Sequence, residues 1–290
     1  MTDQPRAEAP DAFALGGPLP ASSQRPLPLR QMGIGELVDG AVKLYRRDWL
    51  ALMGISALVL VPVTFIQLWV TQTMVASVDV FATDEEFQAM TTQLIIVTLV
   101  FVVVQVFIVQ PFLVAAISRA AADAYLGKSV TLGQTLRYAL SRLPAILWVT
   151  IITLVVTTIG FILLIIPGIL ALVRLTLTPA IVVVEDVRGT SAVSRSWSLT
   201  GGHFWRVFAT LILAGIISAV GAAIIQIPSE VITTMLGPEG WPVSALGTAL
   251  ATVVVTPFSL LIVVLLYFDL RVRKEGYDIE VMAQELAPAS

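Results

Sequence analysis

The sequence predicts an all-α membrane bundle of about six transmembrane helices. Three observations carry this. Of the 290 residues, 57% are hydrophobic and only 13% charged, against about 25% charged in soluble domains. The mean hydropathy is +0.90. The apolar residues are gathered in runs long enough to cross a bilayer core of roughly 30 Å, which takes about 20 helical residues. A soluble fold of this length has no interior large enough for so much apolar surface, whereas lipid supplies an apolar solvent from outside.

The runs follow in order. The first spans Leu50 to Met74 and the second Leu94 to Ile117. A long block from Leu143 to Val184 has room for two more, interrupted by Gly160 and by Pro167-Gly168. A turn at either break gives two crossings, the reading favoured here. A re-entrant hairpin is the alternative, because both ends of the block lie on one side in any case. The fifth run spans Phe204 to Ile227 and the sixth Ala245 to Phe268. Residues 1–28 are rich in proline and lack the apolar stretch of a signal peptide, so they read as a disordered tail. The membrane domain then covers 29–282, with a second short tail at 283–290.

Charge orients the bundle. Of the seventeen Lys and Arg residues, all but Arg174 fall before the first span, between spans two and three, between four and five, or after the sixth. The alternate loops, 75–93 and 228–244, hold none and carry Asp79, Asp84, Glu85, Glu86, Glu230 and Glu239 instead. The positive-inside rule places the basic end, with both termini, in the cytoplasm. The expected location is a bacterial cytoplasmic membrane whose anionic inner leaflet is the main partner of the basic flanks. The net charge of −3 gives no footprint for nucleic acid.

An amphipathic segment precedes each pair of spans. Gly33–Asp48 places Leu37, Ala41 and Leu44 on one face and Glu36, Lys43 and Arg47 on the other. Thr131–Arg142 opens with Thr131 and Gln134 at capping-box spacing. Thr190–Thr200 ends at Gly201-Gly202. The second span of each pair contains a proline, in Gln110-Pro111, Thr178-Pro179 and Thr256-Pro257. The unit of interfacial helix plus two spans thus occurs three times, a candidate threefold repeat. Trp49, Trp148, Trp197 and Trp205 sit where indoles anchor at the membrane boundary.

Several motifs resemble a known family. Ile166-Pro167-Gly168, Leu172-Val173-Arg174-Leu175, Pro179 and Val184-Glu185 form the first. Ser191-Ala192-Val193-Ser194-Arg195-Ser196-Trp197-Ser198-Leu199-Thr200 and Gly202-His203-Phe204-Trp205-Arg206 follow. Tyr267-Phe268-Asp269-Leu270-Arg271-Val272-Arg273-Lys274 closes the series. Together they are similar to actinobacterial-type proteins of the glycerophosphoryl diester phosphodiesterase membrane-domain family, over roughly residues 29–282. The resemblance implies the membrane part alone. The soluble barrel that hydrolyses the diester in some members has no counterpart here.

The chemistry-bearing residues are few. With no cysteine and a single histidine, His203, thiolate sites and paired-imidazole sites are excluded. No cofactor or metal is expected, and no catalytic set emerges. Arg174 stands out, since a charge at the centre of a span costs at least about 2.5–3.5 kcal/mol. Counted back from Glu185 it lies near mid-span, at the depth of Gln110 and Thr256. It is therefore expected to point into the bundle and to bond to groups near Gln110, Thr178 or Thr256. The mixed charges around Asp269 read as salt-bridged packing, and Glu185, Asp186 and Arg188 as solvated. The sequence thus predicts a non-enzymatic protein that organises or assists envelope components, with a membrane-protein partner or a second copy as candidate partners. The alternative is a small-solute or lipid transporter with its polar site at Arg174.

Overall fold

The computed structural model describes residues 30–76, 83–125 and 130–276. The two predicted tails and Lys128 lie outside the described residues. Everything regular in those stretches is helical. The elements are α1 (Ile34–Ala76), α2 (Asp84–Val104), a π-helical turn (Gln105–Val109), α3 (Gln110–Tyr125), α4 (Leu132–Leu163), α5 (Ile165–Leu175), α6 (Thr178–Val184), α7 (Thr190–Thr200), α8 (Phe204–Leu236) and α9 (Trp241–Glu275). Six helical segments are long and apolar enough to cross a membrane, with α2–α3 and α5–α6 each counted as one.

The three stretches read as amphipathic segments are helical, each joined differently to its span. In α1 the break is a single non-helical residue, Asp48, at φ −116° and ψ 25°. The segment Thr131–Arg142 runs into its span without interruption inside α4. The capping box expected there does not form, because Thr131 makes no side-chain cap bond. Its carbonyl accepts from Thr135 Oγ1 instead, at 2.9 Å. The box that does form lies at the acidic end, where Thr83 accepts from Glu86 N and the Glu86 carboxylate accepts from Thr83 N at 2.8 Å.

The long block breaks at Leu164, between the two glycine positions expected from sequence. Leu164 is extended, and α5 starts at the next residue. The glycines hold the hairpin together. A Cβ on Gly160 would lie 3.0 Å from Gly168 Cα, and one on Gly168 would fall onto the Phe161 ring. The bare backbones therefore let α4 and α5 approach closely.

Contacts between units recur in cyclic order. The start of α4 meets α1, where a Cβ on Gly54 would be 3.6 Å from Leu132. The residue before α7 meets α4, with Gly189 3.9 Å from Trp148 by the same measure. The residues before α1 meet α8, where Arg206 Nη2 donates to the Met32 carbonyl. The leading helical segment of each unit thus begins against the base of another unit's first span. Inside this ring, the ends of the second spans are packed together. Tyr125 of α3 stacks on Phe268 of α9 at 4.4 Å between centroids. α3 also packs on α6, whose residues from Ala180 to Val184 are buried.

The two ends of the bundle differ in packing. Leu261–Val272 of α9 is almost wholly buried, whereas α2 has no buried residue among its twenty-one. Ile95, Ile96, Leu99 and Val103 are each more than half exposed. The basic end is a dense core, and the acidic end presents apolar side chains outward, as lipid-facing helices do.

Candidate functional site at the basic end

Arg174 does not sit at mid-span. Its Nη1 donates to the Trp197 carbonyl of α7 at 3.2 Å, and its guanidinium lies 5.2 Å from the Trp197 ring centroid. Its own carbonyl accepts from Ser196 Oγ at 2.7 Å and Thr200 Oγ1 at 3.3 Å. Thr200 stands at the foot of α8, so Arg174 lies at the basic face of the bundle. The count from Glu185 assumed one straight helix. The chain instead breaks after Leu175 and restarts as α6 at Thr178. That break leaves the last carbonyls of α5 without intrahelical donors. The hydroxyls of α7 supply them, together with Thr178 Oγ1, which donates to Leu175 O at 2.7 Å. An arginine in the last turn also suits the negative end of the helix dipole.

The expected cluster is therefore not assembled, and this corrects the sequence reading. Gln110 is exposed at the start of α3, Thr256 is half-buried in α9, and Thr178 caps α5. Among the described residues, no hydrogen bond joins Arg174 to Gln110, Thr178 or Thr256. Pro179 opens α6 in its first turn, where its missing N–H does no harm. It does not kink a continuous span.

Two ion-pair networks hold the basic end. Asp269 is fully buried and accepts from Met32 N at 2.8 Å, Arg206 Nε at 2.9 Å and Arg273 Nε at 2.9 Å. Arg206 and Arg273 also donate to the Met32 carbonyl, the latter at 2.7 Å. Buried carboxylates of this kind are stable only when their oxygens are so matched. The second network joins Glu185, Arg195, Glu275, Arg271 and Tyr267. Arg195 donates to both Glu185 oxygens, at 2.9 and 3.1 Å, and to both Glu275 oxygens, one at 2.7 Å. Tyr267 OH donates to Glu185 Oε1 at 2.9 Å. The Glu275 bonds, and after them those from Glu185, hold the Arg195 guanidinium pKa above its usual value against the opposing effect of burial. Glu185 is thus a buried structural group, whereas the sequence suggested a solvated charge. Asp186 is half exposed as expected and pairs with Arg142 and Arg188.

Cavities among the described residues at this end include two. One is a shallow groove of about 520 Å³ on α7, lined by Thr190, Ser191, Ser194, Arg195 and Ser198. The other is a small polar cavity of about 110 Å³ between α3 and α4, with Arg119, Asp123 and Tyr138 in its wall. Among the described residues, no three His, Asp or Glu side chains gather in a metal-ligating group.

One juxtaposition escaped the sequence reading. Lys274 Nζ donates to Ser198 O at 2.6 Å, which brings it beside Gly201 and Arg174. Gly201-Gly202 was legible as a helix stop. The arrival of a lysine from the far end of the chain was not.

These features define an all-α, multi-pass membrane protein whose basic end is knit together by buried ion pairs. The chain belongs to the family described as a domain of unknown function (DUF7847), whose model matches residues 97–270. No curated protein and no solved structure matches it.

Proposed function

We propose that the chain is a non-enzymatic protein of a bacterial cytoplasmic membrane that organises or assists other envelope components. In this reading its basic end is a rigid cytoplasmic platform. The supporting observation is the saturation of that end. Asp269, Glu185 and Glu275 are each bound to arginines from other helices or from their own, and Asp123, in the wall of the small cavity, is paired with Arg119. General acid–base work needs a group free to exchange a proton with a substrate. The exposed apolar faces around α2 suit contact with lipid, a membrane-protein partner or a second copy. The transporter alternative rests on the repeat, the prolines within spans and Arg174, and of these the position of Arg174 at the basic face supports it less than a mid-span site would.

The resemblance to the glycerophosphoryl diester phosphodiesterase membrane domain provides the sharpest test. The purified chain in liposomes should not turn over a glycerophosphodiester, with or without added divalent cations. Metal-dependent hydrolysis that a single substitution at the basic end abolishes would overturn the proposal.

The orientation is tested separately. The chain has no native cysteine, so single cysteines report cleanly. In intact cells, Glu239→Cys should react with an impermeant maleimide, and Arg188→Cys and Lys274→Cys only after permeabilisation. The opposite pattern would invert the topology.

A further inference from the structure

We propose that the surface over Gly201, bracketed by Arg174 and Lys274, binds a phosphate oxyanion. The chemistry is shared by an anionic phospholipid headgroup and free phosphate. The site stands whether the chain organises partners or moves a solute.

Three observations carry it. First, two cations converge. A Cβ built on Gly201 would lie 3.3 Å from Arg174 Nη1 and 3.5 Å from Lys274 Nζ. The two nitrogens are therefore within about 7 Å of each other, close enough for like charges to repel. Second, neither has a carboxylate partner among the described residues. The neighbouring Arg195, Arg206, Arg271 and Arg273 are each paired with a carboxylate, yet Arg174 meets the Trp197 carbonyl and ring and Lys274 the Ser198 carbonyl, all neutral. Arg174 Nε and His203 Nδ1 are shielded from solvent and have no hydrogen-bond partner. Positive charge is thus left uncompensated beside a network that compensates it elsewhere.

Third, the surface is bare. Gly201, at φ −58° and ψ 129°, has a backbone conformation open to any residue. A side chain there would crowd the two cations, and its Cβ would also stand 3.0 Å from Ser198 O, so its neighbours would have to give by a few tenths of an ångström. Gly202 has φ +81°, which favours glycine, and nothing lies within 4 Å of where its Cβ would be. A tetrahedral oxyanion accepting bonds of about 2.8 Å from each cation bridges a gap of this size. Trp197 and Trp205, 42% and 76% exposed, flank the turn. Indoles settle at the depth of lipid headgroups, so the site lies where phosphates are concentrated.

The test uses the full-length protein in detergent. Phosphatidylglycerol and phosphatidylcholine are titrated with native mass spectrometry as readout, and inorganic phosphate with thermal shift. Phosphatidylglycerol should bind in preference to phosphatidylcholine. Arg174→Gln with Lys274→Gln should weaken it about tenfold, the loss expected for a charge-assisted contact. Lys43→Gln removes an exposed basic charge elsewhere at this end and should change nothing. Inorganic phosphate binding with the same residue dependence, and no lipid preference, assigns the site to free phosphate. Lys274→Gln alone and Gly201→Ala give the reading if the Arg174 change impairs folding, and each should weaken binding. An equal loss in Lys43→Gln, or no binding of either probe by the unaltered protein, would overturn the proposal.

Discussion

Asp269→Ala should lower stability by about 3–5 kcal/mol, the range for breaking a buried ion pair by removing one partner. The change leaves Arg206, Arg273 and the Met32 amide facing a carboxylate that is no longer there. These three belong to α8, α9 and the segment leading into α1, so the loss falls on the junction of the first and third units. Thermal melting of the detergent-purified protein, followed by size-exclusion profile, reads the effect. Asp269→Asn keeps the shape and one acceptor and should fall between the two. A melting temperature for Asp269→Ala within a degree or two of the unaltered protein would remove the network from any account of the fold.

The second large effect is expected at the apex of the α4–α5 hairpin. Gly168→Leu drives a branched side chain into the Phe161 ring, where even small overpacking costs about 1–3 kcal/mol. The helices must separate, and Arg174, six residues further on, must leave Trp197. Thermal melting of the detergent-purified protein should show a clear loss of stability in this variant. Phe161→Ala opens room for a methyl group, so Gly168→Ala should be tolerated in that background and not alone. Equal tolerance in both backgrounds would show that the close approach is not needed.

Much of this architecture is written in the chain at the level of period and charge. The spans follow from apolar run length, and the amphipathic face of Leu37, Ala41 and Leu44 is buried as its spacing requires. α7 begins at Thr190 and ends at Thr200, as read from sequence. The salt-bridged packing expected around Asp269 is present. What failed was depth. Arg174 was assigned to mid-span because residues were counted along a straight helix, and Pro179, which ends a helix ahead of it and opens the next, was taken as a proline within a continuous span. The break makes sense only with α7 in place, because its hydroxyls satisfy the carbonyls that the break exposes. Glu185 was misread for a related reason. Its partners Arg195 and Tyr267 come from two other helices, and a charge near a span end looks solvated until they arrive. The pairing of Lys274 with the Gly201 turn is likewise a fact of tertiary structure, joining residues 76 positions apart from Ser198.

The Met32–Asp269 bond also sets an order of events. It joins residues 237 apart in sequence, so the first helix to leave the ribosome has a partner that is among the last to be made. Until α9 emerges, the face of α1 that packs on it has only lipid or a chaperone to cover it. Contacts of such long separation form late and slowly, and chains caught before they form expose the surfaces that later become core. Synthesis that stops short of Asp269 therefore leaves the ring open at the seam between first and last units. A nascent chain stalled before that residue should be far more sensitive to proteases at residues 34–48 than one stalled after it.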